Sequence, residues 1–310
     1  MANVDKTPVI AIAGNPNSGK TTLFNALTGS HQRVGNWPGV TVEKKTGEMR
    51  LASRVVELVD LPGIYSLSSH SEDEKVARDY LLSGEAGLVI DIVDASNLER
   101  NLFLTLNLLE MRVPTLVVLN MIDLAEKKGA KVDVEALSRV LGTKVLAISA
   151  TSKADVDRFR KECDEAIDSL VASRVRVAYP DSIEKQLADW NKKVSSVAVE
   201  TNTDARWIGL KLLERDRFIT GKITALGAVS EGEVASAVAD IEKSIGDTPD
   251  AVIASAKYDF ISDSVKKSVG GTKVKRVAGE KLDKVILNRF LGIPIFILVM
   301  YLMFWFVINV

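Results

Sequence analysis

Gly14-Asn15-Pro16-Asn17-Ser18-Gly19-Lys20-Thr21 stands between an apolar run, Pro8 to Ala13, and a helical pattern running from Lys20 to Thr28. A G-x-x-x-x-G-K-T loop that follows a strand and opens a helix is built to hold phosphate. Its glycines let the backbone approach closely, and its amides and the helix N-terminus favour an anion. Lys20 is expected to reach the β- and γ-phosphates and Thr21 to place its hydroxyl on Mg²⁺. Gly14, Asn15, Pro16, Asn17, Ser18, Gly19 and Thr22 complete the expected cradle. The strand–loop–helix order points to a doubly wound α/β sheet.

Further motifs lie outward from this loop, in a fixed order. Asp60-Leu-Pro-Gly63 ends a β-type stretch; Asp60 can hold Mg²⁺ and the Gly63 N–H can meet the γ-phosphate. Between the two, Gly35-Asn-Trp-Pro-Gly-Val-Thr-Val-Glu43 carries Thr41, whose hydroxyl can join Mg²⁺ only while the γ-phosphate is present, so this loop is the expected switch. Asn120-Met-Ile-Asp123 follows another strand, and the Asp123 carboxylate can accept two hydrogen bonds from guanine. Adenine lacks that donor pair and would leave a buried acid unpaired. Met121 replaces the usual lysine and can still cover the base. Ser149-Ala150 offers a backbone N–H to the guanine oxygen. Together these predict a GTP/GDP site that hydrolyses GTP, with Lys20, Thr41 and Gly63 acting on the phosphates.

Two positions bear on rate. Ile64 stands where Ras-like GTPases carry a water-orienting glutamine, so slow intrinsic hydrolysis is expected. Arg33 lies in the switch region but reads as an exposed loop arginine. Asn17 is the expected K⁺ ligand beside the phosphates; the competing reading is a structural loop asparagine.

The remaining pattern sets the domains. Strands at Leu88–Val93, Thr115–Leu119 and Lys144–Ile148 alternate with helices over Asn97–Arg112, Val134–Leu141 and Ala154–Leu170. A hairpin is expected within Glu43–Asp60, and Ser71-x-x-Glu74 reads as a capping box before a helix through Leu82. The strand rhythm stops near Val171, and helices follow over Ile183–Val199, Trp207–Leu213, Glu231–Ile245 and Ala251–Val265. The expected division is a nucleotide domain over 1–177, a helical domain over 178–270, a linker and juxtamembrane segment over 271–289, and one transmembrane helix over 290–310. The polar run Ser268–Arg276 opens that linker, and the last 21 residues carry no charge. Lys281, Lys284 and Arg289 beside the span place residues 1–289 on the cytoplasmic side. A net charge of -1 argues against nucleic-acid partners. Cys163 is the single cysteine, so no disulfide framework is expected, and no secretory signal precedes the first strand.

These motifs, with Asp60-Leu-Pro-Gly-Ile-Tyr-Ser-Leu67, Asp73-Glu-Lys-Val-Ala-Arg-Asp-Tyr-Leu-Leu82, Asn97-Leu-Glu-Arg-Asn-Leu102 and Leu291-Gly-Ile-Pro-Ile-Phe296, resemble the ferrous iron transport protein B (FeoB) family. The resemblance implies a bacterial inner-membrane Fe²⁺ uptake system with a K⁺-stimulated GTPase domain. It also implies a helical domain that stabilises the GDP-bound form, and a polytopic membrane domain. Small cytosolic accessory proteins and homo-oligomers are the partners it brings. Two departures accompany it. Thr151-Ser-Lys-Ala-Asp155 lacks the glycine common after Ser149-Ala150, which should alter that loop. A single span cannot line a path for a hydrated dication, so either further chain or a separate permease is expected. His31, His70 and Cys163 are not read as iron ligands. The alternatives are a membrane-anchored GTPase switch that recruits a partner without transport, and an RNA-modification or ribosome-assembly GTPase, which the charge balance and apolar C-terminus disfavour.

Overall fold

A computed structural model describes residues 7–29, 32–68, 71–201, 203–270 and 292–309. The N-terminal half is a seven-stranded sheet in the order β2-β3-β4-β1-β5-β6-β8. Its strands are β1 Val9–Gly14, β2 Gln32–Asn36, β3 Glu43–Arg50, β4 Val55–Asp60, β5 Leu88–Asp94, β6 Thr115–Asn120 and β8 Val145–Ala147. β2, β3 and β4 run antiparallel, which confirms the expected hairpin, and all other pairings are parallel. Helices α1 Lys20–Thr28, α2 Glu72–Ser83, α3 Leu98–Glu110, α4 Ile122–Lys127, α5 Val134–Leu141 and α6 Lys153–Ser169 cover it.

Strand periodicity explains the layering. Successive side chains point to opposite faces, so β1 splits its apolar run between two cores. Ile10 and Ile12 pack with Leu23 and Phe24 of α1 and Phe159 of α6. Ala11 and Ala13 face the other way, towards Ala77 and Tyr80 of α2 and the leucines of α3. That second core does not end at the sheet: it runs without a break into Ile183, Trp190, Trp207 and Ile253.

Those residues belong to a helical unit of α7 Asp181–Glu200, α8 Ala205–Leu213, α9 Arg217–Ala225, α10 Glu231–Ile245 and α11 Pro249–Ser268. Four of these helices match the expected ones within a few residues; α9 had no counterpart in the sequence reading, and neither did α4 or β2. α11 packs on both α3 and α5, so the helical unit shares its core with the nucleotide domain. Ser268–Gly270 is not the start of a linker. Ser268 ends α11, and β9 Val269–Gly270 pairs with β7 Lys131–Val132, joined by the Asp133 N–H donating to the Ser268 carbonyl at 2.6 Å. The expected segment 271–289 lies outside the described residues.

Ser71 does cap α2, accepting from the Glu74 N–H at 3.1 Å. The Glu74 carboxylate, however, does not return to Ser71: it accepts from the hydroxyls of Ser66 and Ser68. The reciprocal capping box occurs instead at Ser230 and Glu233 on α10.

The apolar C-terminus forms α12, Gly292–Asn309, with Phe296, Trp305 and Phe306 exposed. Among the described residues no helix is long and apolar enough to cross a membrane. α12 has 18 residues, about 27 Å at about 1.5 Å each, just short of a roughly 30 Å hydrocarbon core. Phe290, Leu291 and Val310, which complete the expected span, lie outside the described residues.

Candidate nucleotide site

The loop after β1 is shaped by backbone demands that its sequence meets. Gly19 sits at φ +94, and a Cβ there would lie 2.1 Å from the Asn120 Nδ2 atom. At Gly14 a Cβ would lie 2.7 Å from the Ile92 carbonyl oxygen. Both positions therefore exclude any side chain. Asn17 is exposed and takes the left-handed conformation at φ 65. Asparagine is among the few side chains that tolerate this, so the backbone by itself accounts for an asparagine here.

The functional groups converge from separate strand ends. Lys20 opens α1, and its ammonium donates to the Asp60 carboxylate at 2.5 Å. Asp60 ends β4 and is buried; desolvation raises its carboxyl above the usual range although Lys20 opposes the shift. Gly63 follows, packed against Pro16 of the phosphate loop, and the Ile64 N–H donates to the Gly14 carbonyl at 3.3 Å. The Ile64 side chain is buried in the core, so it supplies no group for orienting water.

On the other side, Asn120 ends β6 and joins two loops. Its Nδ2 donates to the Ser18 carbonyl at 3.0 Å, and its Oδ1 accepts from the Ala150 N–H at 3.3 Å. Asn120 thus braces the phosphate loop against the loop after β8. The sequence reading had placed it only as part of a base-recognition motif. Met121 caps α4 in the left-handed conformation at φ 60, with its Cε 3.9 Å from where a Gly19 Cβ would lie. Such a backbone is rare for a long side chain and marks strain at a functional loop.

Asp123 departs from its expected environment: its side chain is 75% exposed, with Lys127 at 3.7 Å. A base must cover it before leaving it unpaired has a cost. The Ser149 N–H donates to Asp155 at 3.0 Å and the Ala150 N–H to Asn120. Ser149-Ala150 is expected to offer one backbone N–H to guanine, and the amides of both residues are engaged by side chains; Asp155 joins the site through the Ser149 amide.

The expected switch loop is anchored at its start. Trp37 is buried against Tyr80 of α2, ring centroids 5.1 Å apart, with the Lys44 ammonium 4.7 Å from the indole centroid. The Trp37 N–H donates to the Val42 carbonyl at 2.9 Å, closing a turn in which Thr41 is exposed. Thr21 and Thr22 are exposed on α1, and Arg33 is exposed on β2. Arg100 lies over Tyr65 at 4.4 Å, and its carbonyl accepts from Asn15 at 3.4 Å, so the start of α3 also borders the site. Among the described residues, Asn15 Oδ1 and Ser18 Oγ are buried without a partner; the Ser18 hydroxyl can donate to a ligand oxygen, whereas Asn15 Oδ1 can only accept. Cys163 is buried in α6, and among the described residues no cluster could hold a metal through His, Cys, Asp and Glu alone. His31 and His70 lie outside the described residues.

The chain is similar to known proteins over most of its length. The family model for ferrous iron transport protein B matches residues 8–163, and that for the FeoB cytosolic helical domain matches 179–270. The chain is 42% identical to the Fe(2+) transporter FeoB of Escherichia coli K12 over 98% of its own length, and equally so to that of Salmonella typhimurium. It spans 39% of those relatives. Among solved structures, a GDP-bound mutant of the S. thermophilus FeoB G-domain superposes with a TM-score of 0.76 at 36% identity, covering 85% of this chain and 100% of that one. The cytosolic domain of T. maritima FeoB in its GMPPNP form gives 0.74 at 35%, covering 85% and 100%. The chain belongs to the FeoB family and carries its GTPase and cytosolic helical domains.

Proposed function

We propose that this chain is the GTP-binding and GTP-hydrolysing module of a bacterial ferrous iron transporter, working on the cytoplasmic face of the inner membrane. The observation that carries the reading is the convergence of Lys20, Asp60 and the Asn120-braced loops on one site in a chain of this family. Lys20 exchanges its Asp60 partner for phosphate oxygens, and the loop amides hold the remaining anionic charge. Asp123 selects guanine and Met121 covers the base. Thr21, Thr41 and Asp60 form a hard oxygen donor set suited to Mg²⁺, which when bound neutralises charge on the phosphates. Asn17 offers a carboxamide oxygen for K⁺, and Ile64 leaves hydrolysis slow. Helix α12 opens the membrane-bound part, with residues 1–289 on the cytosolic side. Fe²⁺ is the cargo of that assembly, and switch motion at Thr41 and Gly63 regulates it.

The test is a GTPase assay in K⁺ and in Na⁺ with wild type and Asn17→Ala. A K⁺-dependent rate lost in the variant supports the cation role. Equal K⁺/Na⁺ ratios would remove it while leaving the GTPase reading intact. Absence of any GTP turnover in wild type would remove the reading itself.

A further inference from the structure

A cavity of about 520 Å³ lies between the two units, and none of the nucleotide-site residues borders it. Ser66 and Ser68 form one side, Phe103 on α3 and Ala254 on α11 another, and the corner between α8 and α9 a third. Its volume is within the range of sites that take small molecules.

Two ammoniums stand at this cavity almost sealed from water. The Lys257 side chain is 2% exposed and that of Lys211 5%. They differ in what they hold. Lys257 has three acceptors around it: Asn107 at 3.2 Å, Glu110 at 3.0 Å and Glu214 at 3.7 Å. Lys211 carries the same three donors. Among the described residues it meets a single acceptor, Glu214 at 2.6 Å, with the Trp207 ring centroid 5.7 Å away. A desolvated ammonium short of acceptors is unfavourable, and a ligand oxygen in the cavity would relieve it.

The exposed side adds two guanidiniums. Arg215 follows α8 in the left-handed conformation at φ 53, where glycine is the usual residue. Its guanidinium comes no closer than 4.0 Å to Glu242. Arg217 opens α9, is exposed, and has no carboxylate partner among the described residues. Of the three carboxylates at the cavity, Glu214 is held by the two lysines and Asp216 by Arg78 at 3.5 Å. The third, Asp250, is exposed. With those pairs set aside, two guanidiniums stand against one carboxylate, so the cavity favours an anion. Phe103 and Ala254 give it an apolar wall.

We propose that this cavity is a binding site for a small organic anion. Its phosphate or carboxylate group meets Lys211 and Arg217, and its apolar part lies against Phe103 and Ala254. Ammonium and guanidinium groups bind both kinds of oxyanion, and the guanidinium fork does so bidentately. This inference does not rest on the GTPase reading above.

The experiment is calorimetric titration of the full chain in detergent, saturated with GDP so that the nucleotide site is closed to the probe. The probe is phenyl phosphate, with benzoate as the carboxylate and benzyl alcohol as the neutral counterpart. The expected result is saturable binding of phenyl phosphate, with benzyl alcohol about tenfold weaker or worse. Comparison with benzoate tells which oxyanion the site prefers. Arg217→Ala, at an exposed and unpaired side chain, weakens phenyl phosphate by about tenfold and leaves GDP affinity unchanged. Lys211→Met weakens it as much or more. Arg139→Ala, on the exposed face of α5, leaves it within about twofold. If Lys211→Met does not fold, Arg217→Ala decides alone. The proposal is overturned if neither anion binds saturably, if benzyl alcohol binds as well as phenyl phosphate, or if Arg217→Ala binds phenyl phosphate like wild type. Failure of wild type to bind GDP would overturn the GTPase reading, while the loss in Arg217→Ala would still support the cavity as an anion site.

Discussion

The nucleotide site and the junction with the helical unit hold charge in opposite ways. At the nucleotide site Asp123, Asn17, Thr21 and Thr41 are exposed. At the junction Lys257, Glu110, Arg78 and Asp216 are all nearly sealed from water. Lys257 donates to Asn107 at 3.2 Å and pairs with Glu110 at 3.0 Å and Glu214 at 3.7 Å. Burial works against its charge, but Glu110 and Glu214 outweigh it and hold its ammonium above the ordinary value. The Tyr179 hydroxyl donates to Glu110 at 2.7 Å, and burial followed by Glu110 drives its pKa upward. The difference teaches that Asp123 stays wet, whereas Lys20 and Asp60 at the same site, like the charges joining the two units, are already paired. An unpaired charge in a dry interface is costly.

Removing one partner at the dry junction should have the largest effect. Lys257→Ala removes the ammonium beside buried Glu110, while Glu214 keeps Lys211 at 2.6 Å. The expected loss is about 3–5 kcal/mol, read as a lower denaturant midpoint. A loss near that of a surface substitution would show that water reaches the junction and would erase the contrast.

At the wet site the expected loss is in affinity while the fold remains. Asp123→Ala should weaken GDP binding by roughly 100-fold, about 2.7 kcal/mol, while leaving the ligand-free melting temperature unchanged. A lower melting temperature without nucleotide would mean that Asp123 is structural.

Asp91 extends the comparison to pH. It is fully buried on β5, accepting from Thr105 at 2.5 Å, and burial raises its carboxyl from 3.8 to about 7 against that hydrogen bond. A raised acid binds its proton more tightly when folded, so its stabilisation is full below about pH 4 and is lost as pH rises towards 7. Asp91→Asn should therefore flatten the pH dependence of melting between those values and raise the melting temperature at pH 8 by on the order of 5 °C. An unchanged pH profile would mean that another group carries it.

The smallest effect is expected at Arg139, which faces Glu135 at 3.8 Å with both side chains largely exposed on α5. Arg139→Ala should move the melting temperature by no more than about 1 °C, because exposed pairs contribute little. A larger shift would place this face of α5 in a contact.

Much of the site was legible because its demands are local. The phosphate loop is set by two glycine positions that no side chain can occupy, and by a strand and helix whose periodicities adjoin. The strand ends carrying Asp60 and Asn120 followed from apolar runs that a parallel sheet buries on both faces. The exposure of Asp123 and the engagement of the Ser149 and Ala150 amides were not legible, because they depend on residues that only folding brings together.

The structure alone decided the rest. β2 is polar and reads as loop, yet pairing with β3 makes it an edge strand. Glu74 looks like half of a capping box, yet it holds Ser66 and Ser68. Arg78 on α2 is buried and takes Asp216, far along the chain, as a partner. Backbone geometry and periodicity are properties of a few neighbouring residues, so the sequence determined the fold class and the phosphate loop by itself. A buried charge takes whichever partner the packed core delivers, and only the tertiary structure decides which one that is.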